Sequence, residues 1–311
     1  MNALAQTSTV VVSTLRGIGA DFRRPLDAGT CDNFPQRIAA LAQDCLYLEI
    51  TTWPKPGLVS HVDNGSHDDM DAATFLRSAA AIAPYFAELA DAGACDAAMP
   101  TLRRIGLRAE IAMLRATGGV NTHRGAIFGL GLLCAAAGAR EAASAVCGET
   151  LGAIVARRWG ADILAGPRLC ASHGERARQR FGVGGARVEA ARGFPSVYHV
   201  GIRALRDARR LAPGDAEAQR VHACLALIAA TDDTNLLHRG GRDGLEFAQA
   251  IARAFLERGG IAQADWLSAA ATIHTAFVAR RLSPGGAADL LAMSLFVDRL
   301  DREGDIGELP R

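Results

Sequence analysis

From Pro35 onward the chain repeats one pattern. Apolar residues recur at helical spacing, and the alternation that marks a half-buried strand is nearly absent. Candidate helices cover roughly 35–50, 69–92, 100–116, 123–139, 141–159, 196–211, 214–230, 243–258, 264–281 and 286–301. Small-residue runs such as Ser78 to Ala83 favour close helix packing, and their alanines raise helix propensity. No repeat of fixed period and no Pro- or Ser-rich linker divides the chain. The expectation is all-α: one large domain of about ten helices over 34–311, with its site built from interhelix loops. Residues 1–33, with a β-prone Val10-Val11-Val12 patch and little periodicity, read as a weakly ordered N-terminal extension.

Composition narrows the function classes. Half the residues are apolar, enough for a core. Thirty-four basic residues against thirty-three acidic ones leave no field for nucleic acid. Lys55 is the sole lysine; every other basic residue is Arg. Seven scattered Cys without a C-x-x-C pair indicate reduced thiols and a cytoplasmic protein. The longest uncharged runs, Met1–Leu15 and Gly125–Ala139, are 15 residues each, short of the roughly 20 a membrane span needs.

The connectors carry the chemistry, because a rigid scaffold can aim loop side chains without burying them. The first, Lys55 to Met70, gathers Asp63, Asn64, Ser66, His67, Asp68 and Asp69, with Asp71 just beyond. So many carboxylates repel unless a cation sits among them, and hard oxygen ligands suit Mg²⁺; N-capping by Ser66 or Asp68 is the plainer explanation. Lys55, flanked by prolines, sits on a stiff segment able to hold an ammonium against phosphate. In the candidate helix over 100–116, Glu110 falls between two apolar lines, away from Arg104, Arg108 and Arg115. It is either an acid–base or metal group facing a pocket or half of an ion pair with an Arg elsewhere.

After Gly118-Gly119, Asn121 or Thr122 caps a helix whose first turn holds His123 and Arg124, an anion site in outline. The third connector has Asp232, Asp233, Asn235, His238, Arg239, Gly240 and Gly241; its glycines permit close approach and Arg239 offers a fork for phosphate. The fourth, Ser283-Pro284-Gly285-Gly286, opens the last helix with Asp289 in its first turn, and capping accounts for much of it. A further stretch, Arg157 to Arg192, holds eight Arg and reads as a flap over polyphosphate or a solvated basic loop. The remaining His (173, 199, 222 and 274) stand singly and read as structural. Neither a P-loop nor a strand-linked G-x-G-x-x-G occurs. Together the acidic loops and Arg/Gly cradles point to a Mg²⁺–nucleotide site between helices.

Six stretches carry a resemblance: Lys55-Pro-Gly-Leu-Val-Ser60, Asn64-Gly-Ser-His-Asp-Asp-Met70, Gly119-Val-Asn-Thr-His-Arg-Gly125, Arg187 to Pro195, Asp233 to Gly241, and Ser283 to Leu291. In order and content they resemble the triphosphoribosyl-dephospho-coenzyme A synthase family. Arg124 stands where many members have Lys, which keeps the charge and changes its shape. The resemblance implies transfer of the 5-triphosphoribosyl group of ATP to the 2′-hydroxyl of 3′-dephospho-coenzyme A, with release of adenine. The product is the prosthetic-group precursor of an acyl carrier protein, in malonate decarboxylase or citrate lyase. Arg124 and the long N-terminal extension lean toward the malonate branch. A β linkage in ATP and an α linkage in the product imply one inversion, by direct displacement through an oxocarbenium-like state.

On that reading Glu110, His67 and His123 are the acid–base candidates. Lys55, Ser66, Asn121, Thr122, Arg124, Asn235, Arg239, Gly240, Gly241, Ser283, Gly285 and Gly286 hold ATP, and Asp63, Asp69, Asp232 and Asp233 hold Mg²⁺. ATP and 3′-dephospho-coenzyme A are the expected partners, with a downstream transferase and the carrier protein beyond them; nucleic acid and membrane are not expected, and a homo-oligomer stays open. A Mg²⁺-dependent helical hydrolase of ADP-ribose-like substrates, or a non-enzymatic scaffold of the decarboxylase complex, are the alternatives.

Overall fold

In a computed structural model of the chain, residues 33–142, 148–167 and 180–307 are described. The expected extension over 1–33 lies outside them apart from its last residue, and so does much of the Arg-rich stretch. The described residues form eleven α-helices and no strand. They are α1 (Phe34–Ile50), α2 (Ala72–Ala94), α3 (Met99–Ala116), α4 (Arg124–Glu141), α5 (Leu151–Ala165), α6 (Gly185–Ala191), α7 (Ile202–Leu211), α8 (Ala216–Ala230), α9 (Thr234–Glu257), α10 (Trp266–Ala279) and α11 (Gly285–Gly307). A π-helical turn (Val197–Gly201) leads into α7, and a 3₁₀ turn (Gly260–Ala262) into α10. None of these helices is long and apolar enough to cross a membrane.

Helix α4 is the axis. Every residue from Ala126 to Ala139 except Phe128 is buried, which a helix can sustain only with neighbours on all sides. It packs against α2, α11, α5 and α3, while α8 ties α7, α9 and α11 into the other half. The 15-residue uncharged run is therefore a core helix. Between α2 and α4 the backbones themselves touch: a Cβ on Gly93 would drive into the carbonyl oxygen of Ala135, and one on Gly138 into that of Ala90. Ser78 meets His123 near the N-termini of the pair and Gly93 meets Ala135 near the C-termini, so α2 and α4 run in the same direction.

Several boundaries differ from expectation, each for a local reason. Helix α2 starts at Ala72 because Asp71, and neither Ser66 nor Asp68, is its cap: its Oδ1 accepts from Thr74 N (2.8 Å) and Thr74 Oγ1 (2.7 Å). The helix expected over 141–159 is observed as α5, from Leu151, after a cap by Thr150 Oγ1 to Ala153 N (3.2 Å). The third connector is not a loop: α9 begins at Thr234, capped by Asp233, and runs on through a kink at Gly241, where φ is 63°. Helix α6 was not expected. From within it, Arg187 closes the end of α5 by donating to the carbonyls of Ile163 (3.0 Å) and Gly166 (2.9 Å).

The seam between α2 and α4 gives a paired test. Gly93→Ala should lower the urea midpoint, since overpacking costs ~1–3 kcal/mol. Gly106→Ala, mid-helix in α3 with nothing within 4 Å of the added methyl, should raise stability by ~0.5–1 kcal/mol.

Candidate active site

The start of α11 collects several of the connectors around one point. Asp233 is 4% exposed and caps two helices at once. Its Oδ1 accepts from Asn235 N (2.7 Å) and Leu236 N (3.3 Å) at the start of α9, and its Oδ2 from Ala287 N (2.9 Å) at the start of α11. Burial pushes its carboxyl up, and four backbone N–H donors oppose that shift. From the next turn Asp289 reaches a third N-terminus. Its carboxyl occupies the space a side chain at Gly125 would need and accepts from the backbone N–H of Ala126, at the start of α4. Burial, then the charges of Glu49 and Asp233, push Asp289 well above the usual carboxylate range.

The first connector closes on the same turn. Ser66 Oγ donates to the Leu282 carbonyl (2.7 Å), and His67 Nε2 lies 2.8 Å from Ser283 Oγ. Arg239 donates to the carbonyls of Ser66 and Arg281 (3.1 Å each) and meets His67 Nδ1 at 3.2 Å. A guanidinium only donates, so Nδ1 accepts and the His67 proton sits on Nε2, directed at Ser283. Burial, reinforced by Arg239, holds His67 below its ordinary value. The glycines make room for protein atoms: Gly240 for Leu282, Gly285 for the Asn235 amide (2.8 Å from an added Cβ), Gly286 for Asp233.

On the α4 side, Asn121 Oδ1 accepts from Arg124 N (3.2 Å), and Arg124 Nε donates to Glu110 Oε2 (2.9 Å). Glu110 thus has the ion-pair partner that the sequence left open. His123, 3% exposed, is pinned by Ser78 Oγ at Nδ1 (2.7 Å) and by the Phe75 ring, edge-on at 5.0 Å. Burial, then the Lys55 charge, lower it to about 3, so the ring is neutral. Its Nε2 is buried with no hydrogen-bond partner among the described residues. Thr122 Oγ1 turns inward to Ser78 Oγ (2.7 Å).

Lys55 is wholly buried and ion-paired with Glu49, itself 5% exposed. Its ammonium is therefore held by a carboxylate of the protein. Glu49 was missed in the sequence because it sits on the apolar face of α1 between Leu46 and Ile50; the lone lysine six residues on was the available signal.

The four expected metal ligands do not assemble. Asp63 braces its own loop, accepting from Trp53 Nε1 (3.2 Å) and Gly65 N (2.8 Å) and lying 3.0 Å from His274 Nε2. The Asp233 oxygens are spent on backbone donors, while Asp69 and Asp232 are exposed. Among the described residues no group of three or more His, Cys, Asp or Glu is placed to hold a metal ion. The donor set does not fit a protein-built metal centre.

The family model for CitG, ATP:dephospho-CoA triphosphoribosyl transferase, matches residues 35–307. A protein of Stutzerimonas stutzeri (strain A1501) named "Probable 2-(5''-triphosphoribosyl)-3'-dephosphocoenzyme-A synthase" is 43% identical over 270 residues, 85% of this chain and 92% of its own. One of the same name from Pseudomonas aeruginosa (strain UCBPP-PA14) is 42% identical over 96% of each chain. A third, from Acinetobacter calcoaceticus, is 36% identical over 86% of this chain and 92% of its own. No solved structure matches the chain. With the family model spanning all the site segments and relatives above 40% identity along most of the length, the chain belongs to the ATP:dephospho-CoA triphosphoribosyl transferase family.

Proposed function

We propose that the protein transfers the 5-triphosphoribosyl group of ATP to the 2′-hydroxyl of 3′-dephospho-coenzyme A and releases adenine. The observation that carries this reading is the convergence on the first two turns of α11 of segments 66–67, 125–126, 233–239 and 283–289. The cations Lys55, Arg124 and Arg239 beside these helix starts favour a polyanion. A Mg²⁺ ion would arrive on the triphosphate rather than reside in the protein. The product would supply the prosthetic group of an acyl carrier protein. Between the malonate decarboxylase and citrate lyase carriers we favour the former, on Arg124 in place of the lysine common among relatives.

In the displacement the acceptor oxygen bonds to C1′ as the bond from C1′ to adenine breaks; the acceptor loses a proton and adenine gains one. We assign the first proton to Glu110, whose direction Arg124 fixes at 2.9 Å. The second we assign to Asp289, whose environment favours the protonated carboxyl. General acid–base groups of this kind contribute ~10²–10⁴-fold.

Incubating the protein with ATP, Mg²⁺ and dephospho-coenzyme A should yield free adenine by chromatography; ADP or AMP in its place would refute glycosyl transfer. Glu110→Gln should cut kcat by ~10²–10⁴-fold, and near-normal turnover would remove it from the mechanism.

For Asp289 the linkage sign is fixed by its raised value. Its contribution to stability is full below the unfolded-state pKa and is lost as pH climbs through the folded one. Asp289→Asn, which cannot ionise, should therefore match or exceed the parent's melting temperature at alkaline pH while losing activity. It should also abolish the fall of kcat on the alkaline side of the pH profile. A variant that keeps that limb would exclude Asp289 as the acid.

A further inference from the structure

We infer that Ser78 is a positioning residue that fixes His123 in the tautomer presenting its Nε2–H to the substrate, a contact that rests on the reaction proposed above.

The argument is a count of protons along a buried chain. Thr122 Oγ1 donates to Ser78 Oγ at 2.7 Å, and Ser78 Oγ lies 2.7 Å from His123 Nδ1. Ser78 is fully buried. Its hydroxyl has one proton, and Nδ1 is the acceptor the structure gives it. With Thr122 as the donor to Ser78, a ring proton on Nδ1 would make Ser78 accept twice and leave its own proton without an acceptor, so the Thr122-to-Ser78 bond sets the order. The consistent order is Thr122 to Ser78 to Nδ1, which leaves the imidazole proton on Nε2.

Nε2 is then a buried donor with no hydrogen-bond partner among the described residues. Such atoms are rare, because desolvating a donor without a partner is costly. The ring cannot turn to relieve it. Phe75 meets it edge-on at 5.0 Å, and the His123 backbone N–H is held at 3.2 Å from the Met113 sulfur. Nor does the ring gain a second proton near neutrality, since burial and the adjacent Lys55 ammonium hold it near 3. What remains is a neutral, rigid N–H donor at the start of α4, beside Lys55. A lone pair of the substrate is its complement.

Protein labelled with ¹⁵N-histidine reports the tautomer directly. We expect His123 of the unmodified protein to carry its proton on Nε2. Ser78→Ala should replace that single form by a mixture of both tautomers and lower kcat for adenine release by about 10–100-fold. KM for ATP should stay within about twofold. Ser78→Thr, which keeps the hydroxyl, should restore the Nε2–H form and most of kcat. A proton on Nδ1 in the unmodified protein overturns the assignment, as does Ser78→Ala with unchanged kcat. If Ser78→Ala does not fold, the spectrum of the unmodified protein decides. Failure of that protein to release any adenine overturns instead the reaction on which the substrate contact rests.

Discussion

One carboxylate shared between two helix starts is the constraint on which the rest of this junction depends. Asp233 satisfies backbone donors of α9 and α11 together, and Asp289, one turn further along α11, does the same for α4. An ordinary cap is worth about 0.5–2 kcal/mol to one helix. Here the caps also fix how three helices stand relative to each other. The loops that close over this junction have little freedom left: Ser66, His67 and Arg239 are each bonded to the turn that precedes α11 or to one another.

The junction is costly in electrostatic terms. Glu49, Asp233 and Asp289 bring three carboxyls into the interior against the single Lys55 ammonium. Buried charge is tolerated when it is paired or bonded. Glu49 has Lys55 and Asp233 has its ring of N–H groups, which leaves Asp289 as the member pushed well toward its protonated form. Sites that store such unfavourable charge are where local rules of stability give way to function.

The helical architecture was legible because periodicity is a property of the local sequence, and α4 shows it in extreme form. The grouping of Ser66, His67, Asp233, Asn235, Arg239 and Ser283 was legible as well, since polar and Gly-dense connectors stand out from an apolar background. Their separate tasks were not. Asp232-Asp233 reads as a pair of carboxylates, yet one is exposed and the other is spent on two helix starts. Arg239 reads as a fork for phosphate, yet it clamps two carbonyls of its own chain. Such roles depend on partners some 40 to 170 residues away, which spacing along the chain does not encode. Ser78 was hidden for the opposite reason: within a run of alanines it looks like one more small residue.

The seam of Gly93 and Gly138 has a consequence for the far end of the same two helices. Because α2 and α4 run side by side in one direction, the backbone contact near their C-termini and the Ser78–His123 bond near their N-termini belong to a single rigid pair. Fifteen residues of helix separate Ser78 from Gly93, about 22 Å. A sliding or splaying of the pair there would be felt as a change in a hydrogen-bond length at the other end. The aim of one imidazole nitrogen is thus held by two missing methyl groups that no substrate ever meets.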